Sequence, residues 1–348
     1  VRVFDLGRVP WLESQLLYHA MPRVGVEGLV ILAPAEPYVC IGRHQDPFQE
    51  IDLEACRRRG LPVFRREVGG GAVYLDGAQV FFQVVLHRDS PAARGGTEAL
   101  YRRMLAPVAA AYGDLGVPSR YRPVNDVVTT DGRKVSGTGA AEIGDFIVLV
   151  GNLIEDFDYD TMVSVLRVPD EKFRGKVYRS MHENLTTLRR ETGRSFAWGE
   201  MTGALVRRFA EELGPLEPAA LPAEVRAEAA RLEPVLTGPE WFARAGRRTS
   251  VEREVRIAGD VQLTQRVHKA PGGLVRSIVE VKDARVVHVS LSGDFFCYPG
   301  EGLAGLEDAL AGMPLARLEQ ALASFFAAGR LVVPGVGIPD WLAVLGAA

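Results

Sequence analysis

The sequence predicts an α+β protein in two parts, and three observations carry that prediction. The length of 348 residues favours two domains where ~150 residues is usual for one. Between Gly214 and Arg248 the composition shifts to Pro, Ala, Glu and Arg, as expected of a connection between domains. Runs of antiparallel strands followed by helices give both parts an α+β order of elements. The expected division is a large part over residues 1–236, a linker over 237–249 and a small C-terminal part over 250–348.

An amphipathic helix is expected from Trp11 to Met21, then apolar strands from Gly28 to Leu32 and from Tyr38 to Ile41. A helical stretch from Asp52 to Arg59 leads into a strand over Leu61–Phe64, and another extended run covers Ala72–Leu75. Val80–Leu86 is nearly continuous apolar sequence and reads as a buried strand. Glu98–Leu115 has helical spacing and stops at Gly116-Val117-Pro118, a strong end signal. Asp131-Gly132 between two β-branched runs predicts a two-residue hairpin turn with both residues at φ > 0. Phe146–Ile154 is a further strand, residues 172–188 a mixed connection, and Glu200–Leu213 a helix. A short helix, about Ala223–Leu232, lies within the connecting region. Beyond it, Glu252–Ile257, Val261–His268, Leu274–Lys282 and Ala284–Leu291 alternate as antiparallel strands. Turns fall at Pro271-Gly272-Gly273 and Lys282-Asp283, and helices over Gly302–Ala311 and Pro314–Ala328.

Composition narrows the function classes. Hydrophobic residues make up 47% and charged residues 24%, an ordinary globular balance. A net charge of −3 offers no general pull towards nucleic acid. No run approaches the ~18 apolar residues of a membrane span, and no signal-type segment opens the sequence. Cys40, Cys56 and Cys297 are odd in number and widely spaced, so neither a disulfide framework nor a CxxC metal site is indicated. A reduced, cytoplasmic protein without nucleic-acid or membrane partners is the simplest expectation.

Two places could carry chemistry. Arg65-Arg66-Glu67-Val68-Gly69-Gly70-Gly71-Ala72-Val73-Tyr74 puts two guanidiniums and three glycines between strand-like runs. Glycine weakens a strand, so three in a row suggest that something approaches the backbone closely, and bare amides beside arginines suit an anion. The alternative is a glycine bulge with solvated arginines. Lys134 follows the Asp131-Gly132 turn on a strand returning towards Gly137-Thr138-Gly139. It is either a solvated edge charge or a fixed cation for a phosphate or an activated carboxyl. Asn125-Asp126 before the hairpin is a turn-forming pair or, through Asp126, a carboxylate for Mg²⁺. No Lys-Ser/Thr follows the glycines as a Walker loop requires, no HExxH is present, and Ser136 lacks the GxSxG context. The six histidines are scattered and read as surface or core residues.

The string RREVGGGAVYLDGAQVFF, followed some fifty residues later by NDVVTTDGRKVSGTGAAEIGDFIVLVGNLI, resembles the lipoate–protein ligases. CIGRHQDPFQEID upstream and FDYDTMVSVLRVPDEKFRGKVYRSMHENLTTL downstream support it, and the resemblance runs to about Leu213. It implies a large domain with a mixed or antiparallel sheet flanked by helices, plus a small C-terminal α+β domain. The implied reaction joins ATP and lipoate, or octanoate, into acyl-AMP. The acyl group then passes to a lysine of a lipoyl domain, on 2-oxoacid dehydrogenase E2 subunits or on glycine cleavage H and H-like proteins. By the same resemblance Arg66, Gly71, Ala72, Val73, Tyr74 and Lys134 would hold ATP. Gly70, Gly71, Lys134 and Gly137 would hold lipoate, Lys134 would be catalytic, and Asp126 would be a Mg²⁺ partner. Apolar strands around Val73 and Val80–Val84 would wall the fatty-chain tunnel.

Three residues depart from the family pattern: Val68 for Ser or Thr, Leu75 for His, and Gln79 for Asn. They lie where acid preference would be set. Octanoyl and lipoyl transferases of the same fold use a cysteine after the lysine motif, and no residue between Lys134 and Phe296 is Cys. The GRGRxGR-type loop of biotin ligases is also absent. ATP-dependent ligation is therefore the first expectation. ATP-free transfer and a non-catalytic lipoyl-domain-binding relative are the alternatives.

Overall fold

A computed structural model describes residues 1–168, 171–244, 255–258 and 261–346. The chain divides into two units. The first takes Val1–Cys40, Asp52–Phe64 and Val73–Thr237; the second takes Ile41–Ile51, Arg65–Ala72 and Gly238–Ala348.

The strands of the first unit are β1 (Arg2–Val9), β2 (Gly28–Pro34), β3 (Tyr38–Ile41), β4 (Val63–Arg65), β5 (Val73–Leu75), β6 (Gln79–His87), β7 (Ser119–Arg122), β8 (Asp126–Thr129), β9 (Lys134–Ile143), β10 (Phe146–Ile154) and β11 (Glu217–Pro218); β3 and β4 end by entering the second unit. Eight form one mixed sheet in the order β11-β1-β2-β6-β10-β9-β8-β7, and β4-β3-β5 form a smaller one. Within the eight-stranded sheet β1 runs parallel to β2 and β11, and the remaining pairings of that sheet are antiparallel. Helix Trp11–Arg23 makes the crossover between β1 and β2. β1 escaped the sequence reading because a bulge between Asp5 and Gly7 breaks its alternation.

The expected buried strand is β6, eight of whose nine residues are buried. Successive side chains point to opposite faces. Phe82 meets Phe209 of helix Trp198–Leu213 with ring centroids 5.5 Å apart. Gln83, on the other face, donates to the Ser14 carbonyl of helix Trp11–Arg23 at 2.7 Å. Covering both faces removes each large apolar side chain from water, worth ~1.5–3 kcal/mol apiece. Helix Ala223–Leu236, longer than expected, buries Val225, Ala229, Leu232 and Leu236 and packs on helix Trp11–Arg23. Much of the supposed connection is thus part of the first unit's core. The mixed region contains helix Glu171–Asn184, whose described side chains are all at least partly exposed, so it carries no apolar stripe to read.

In the second unit β12 (Val255–Ala258), β13 (Val261–Ala270), β14 (Gly273–Lys282) and β15 (Arg285–Gly293) form an antiparallel sheet in chain order. The start of the first expected strand, and the last residues of the expected linker, 245–249, lie outside the described residues. β14 alternates as predicted, turning Val275, Ser277 and Val279 inward. Helices Gly302–Leu310, Leu318–Ala327 and Ile338–Leu345 contribute the rest of that core, with Trp341 fully buried against Phe295 and Phe326. Ile338–Leu345, at eight residues, is too short for periodicity to reveal.

Candidate active site

Lys134 opens β9 and lies against the β8 edge. The turn before it is not the two-residue type expected: Gly132 has φ +90° whereas Asp131 does not take positive φ. Thr129 instead bonds through its amide to the Arg133 carbonyl at 2.8 Å, and its hydroxyl accepts from the Arg133 amide at 3.0 Å, closing a longer loop. A hairpin turn with two left-handed residues is found at Asp283-Ala284, at φ +50° and +56°, between the paired Lys282 and Arg285. In the first hairpin Ser136 pairs with Val127 and Lys134 with Val128, so Val135 is the additional residue of a bulge. A bulge re-aims the side chains beside it.

Lys134 Nζ stands 2.7 Å from Asp126 Oδ1, and Arg122 Nη2 stands 2.8 Å from Asp126 Oδ2. Burial pushes the Asp126 carboxyl up, but the Lys134 ammonium and Arg122 guanidinium outweigh it and hold the group below its ordinary range. Asn125 is tied in beside them: its Nδ2 donates to the Thr138 carbonyl at 2.5 Å, and the Thr138 hydroxyl donates to the Asn125 carbonyl. The Lys134 carbonyl accepts from the Thr186 amide at 2.8 Å. A Cβ added at Gly137 would meet Lys134 Cε at 3.8 Å and Nζ at 4.0 Å, ordinary contacts with no closer neighbour, so bare, uncrowded backbone adjoins the ammonium. Both Asp126 oxygens already accept from cations, and no group of three His, Cys, Asp or Glu among the described residues is placed to hold a metal. This donor set does not by itself make a Mg²⁺ site.

Further polar groups join this edge to the Val73–Leu75 strand. The Gly137 amide donates to Asn152 Oδ1 at 3.2 Å, Asn152 Nδ2 to Gln79 Oε1 at 2.8 Å, and Gln79 Nε2 to the Tyr74 carbonyl at 3.2 Å. Tyr74 itself packs edge-on to Phe157, and burial is the first cause that pushes its phenol up to about 12.

The triple-glycine segment up to Ala72 belongs to the second unit, and Val73 and Tyr74 to the first. Arg65 is fully buried, donating to the carbonyls of Phe242 at 2.8 Å, Arg43 at 2.8 Å and Gly42 at 3.2 Å. Arg66 donates to the Gly69 and Gly71 carbonyls at 2.8 and 2.9 Å. Much of what approaches the glycines closely is the chain itself. A Cβ on Gly42 would fall 1.9 Å from the Gly70 oxygen, and one on Gly69 would fall 2.7 Å from the Phe295 oxygen. Gly70 sits at φ +90° and donates its amide to Phe295 at 3.2 Å. Gly71 meets no such demand: the nearest atom to an added Cβ is Asp294 Cβ at 3.7 Å, an ordinary contact. Gly69 and Gly70 therefore have structural reasons to be glycine, whereas Gly71 leaves its surroundings open.

The departures from pattern also find places. Val68 is buried and its carbonyl accepts from the Arg43 amide at 3.0 Å, Leu75 pairs with Tyr38, and Gln79 makes the bonds above. All three cysteines are buried. Burial pushes Cys56 up to about 11 and Cys297 up to about 12, and the Cys40 thiol lies 3.7 Å from Gln15 Oε1. His44 stacks on Phe295, and burial drives its imidazole down to about 3. Arg122, Asn152 and Thr186 were missed from sequence. Each acts through a partner distant along the chain or through an otherwise ordinary strand position.

The architecture is that of the lipoate–protein ligases. The bi-partite ligase of Thermoplasma acidophilum, solved in work on an archaeal lipoylation system with its E2 lipoyl domain, superposes with TM-score 0.63 at 26% identity, covering 72% of this chain and 98% of that one. LipL1 of P. falciparum, solved with lipoate, shares the fold at TM-score 0.67 and 13% identity over 94% of both chains. In sequence, octanoyltransferase LipM of Kyrpidia tusciae is 30% identical over 234 residues, 59% of this chain and 82% of that protein. Residues 10–210 match the lipoyl protein ligase A/B catalytic domain, and the chain belongs to that family. It is thus an enzyme of the lipoate ligase and octanoyltransferase family.

Proposed function

We propose that this protein makes an acyl-adenylate from ATP and lipoate or octanoate and transfers the acyl group to a lysine of a lipoyl domain. The observation that carries this reading is the Lys134 ammonium fixed at 2.7 Å from Asp126, next to open backbone at Gly137, in a chain whose three cysteines are all buried. In the first step a carboxylate oxygen attacks the α-phosphorus and pyrophosphate leaves. Like charges meet there, so a fixed cation lowers the barrier. Lys134 would touch both the acyl carbonyl and the phosphate. Arg66 and the backbone of Gly71, Ala72, Val73 and Tyr74 would hold the nucleotide, and Gly70, Gly71 and Gly137 the acyl end. In the second step the acceptor lysine amine attacks the acyl carbonyl, loses a proton and displaces AMP. Mg²⁺ would enter with the triphosphate. The acceptors would be E2 subunits of 2-oxoacid dehydrogenases or glycine cleavage H and H-like proteins.

The likeness to octanoyltransferase LipM favours a second reading, ATP-free octanoyl transfer. It needs an activated cysteine, and the raised thiols of Cys56 and Cys297 argue against one. No helix among the described residues is long and apolar enough to cross a membrane.

The two readings separate in one assay. Purified protein is given an apo lipoyl domain with lipoate or octanoate, Mg²⁺ and ATP, or with octanoyl carrier protein and no ATP. The proposal expects acylated domain and pyrophosphate in the first arm, unchanged when Cys40, Cys56 and Cys297 are each replaced by Ala. Product in the second arm alone, lost with one cysteine, establishes transfer through a thioester. Domain binding without product in either arm marks a non-catalytic relative.

A further inference from the structure

The β9–β10 ladder stops short of Lys134. Its last pair is Thr138 with Gly151. Beyond it, side chains hold the Lys134–Gly137 segment on that side. The Tyr112 hydroxyl donates to the Val135 carbonyl and accepts from the Ile154 amide at 2.8 Å. The Ser136 hydroxyl donates to the Asn152 carbonyl at 2.6 Å, and the Gly137 amide to Asn152 Oδ1. Asn152 is in turn oriented by Gln79, which spans from Asn152 to the Tyr74 carbonyl.

The polarity of this line is determined at both ends. The Gly137 amide can only donate and the Tyr74 carbonyl can only accept, so both side-chain amides must present oxygen towards Gly137 and nitrogen towards Tyr74. Gln79 is 1% exposed and Asn152 8%, so a bond lost here leaves a buried group uncompensated. Neither residue has a role in the reaction as proposed above.

We propose that Gln79 and Asn152 are a positioning pair that couples the Val73–Leu75 strand to the Lys134–Gly137 segment. They set the Gly137 amide, and with it the Lys134 backbone, relative to the Tyr74 carbonyl. This rests on the reading that both strands contact the acyl-adenylate. Gln79, at a position where the family pattern has Asn, is then the residue that completes the link.

The test uses Gln79→Met and Asn152→Leu, singly and together, in the full chain. Each single change lowers kcat for acyl-adenylate formation about tenfold while KM for ATP moves less than about threefold, because the loss falls on alignment and not on uniform binding. The double variant loses no more than Asn152→Leu alone, as expected of residues acting as one unit. Without any substrate, amide exchange of a peptide spanning residues 134–139 speeds up in Gln79→Met, although the Gln79 side chain bonds to Asn152, Tyr74 and, at 3.5 Å, Asp76. Unchanged exchange in both single variants overturns the pairing, as do fully additive losses in kcat. A parent protein inactive with ATP and every acid sinks the ligase reading instead, and the exchange measurement still decides the coupling. Should Asn152→Leu fail to fold, Asn152→Asp keeps the volume and the acceptor towards Gly137 but cannot donate to Gln79, and carries the same expectations.

Discussion

Replacing Lys134 with methionine separates chemistry from stability. The change keeps much of the side-chain stem and removes the ammonium, which stands 2.7 Å from Asp126 Oδ1 with Lys134 34% and Asp126 21% exposed. Asp126 is not orphaned, because Arg122 Nη2 remains 2.8 Å from its other oxygen. A partly exposed ion pair with a surviving partner is worth ~1 kcal/mol or less. That is well below the ~3–5 kcal/mol lost when a buried charge is left alone. The chemical loss is larger. Removing a fixed donor from the place where transition-state charge develops costs ~100- to 1000-fold in kcat, or ~2.7–4 kcal/mol. Urea unfolding and ATP-dependent acylation, run on one preparation, read both quantities. Stability within ~1 kcal/mol of the parent and turnover reduced at least ~100-fold are expected. Turnover within about threefold of the parent would refute the role given to Lys134. Destabilisation above ~3 kcal/mol would refute the energetic reasoning, since it would mean that Asp126 depends on Lys134 alone.

The glycines divide by the same logic. Gly42→Ala places a Cβ 1.9 Å from the Gly70 oxygen and is expected to lower the unfolding midpoint clearly, whereas Gly71→Ala, with 3.7 Å of room, keeps the midpoint and weakens ATP use. Equal destabilisation by both would show that Gly71 is as crowded as its neighbours. His44 sets a pH dependence: its imidazole is lowered from 6.5 to about 3 in the folded chain. The unfolded chain takes up the proton first as pH falls, so this contribution to stability is complete above pH 6.5 and is lost from there towards pH 3, at up to ~1.4 kcal/mol per unit. Unfolding of the parent and of His44→Gln between pH 4 and 8 checks this, and parallel curves for the two would mean that His44 titrates alike folded and unfolded.

How much was legible follows the range of the interactions. Strands Gly28–Pro34, Tyr38–Ile41, Gln79–His87 and Phe146–Ile154 and helix Gly96–Asp114 could be read because each declares itself within a dozen or so residues, by apolar runs or an end signal. Bulged β1, polar helix Glu171–Asn184 and short helix Ile338–Leu345 lack such a local signature. The Asp-Gly pair marked a turn, but its type depended on the hydrogen bonds that Thr129 makes across the loop to Arg133.

By itself, the sequence determined the α+β class, the family and the two segments around the triple glycine and Lys134, because these reside in local pattern and motif. Only the tertiary structure decided what each member of those segments does. It assigned Gly69 and Gly70 to close packing and left Gly71 open, clamped Asp126 between Lys134 and Arg122, and set Gln79 against Asn152, 73 residues away along the chain. The physical reason is that hydrogen-bond partners and steric room depend on which distant strands lie side by side, and strand register is a property of the assembled sheet.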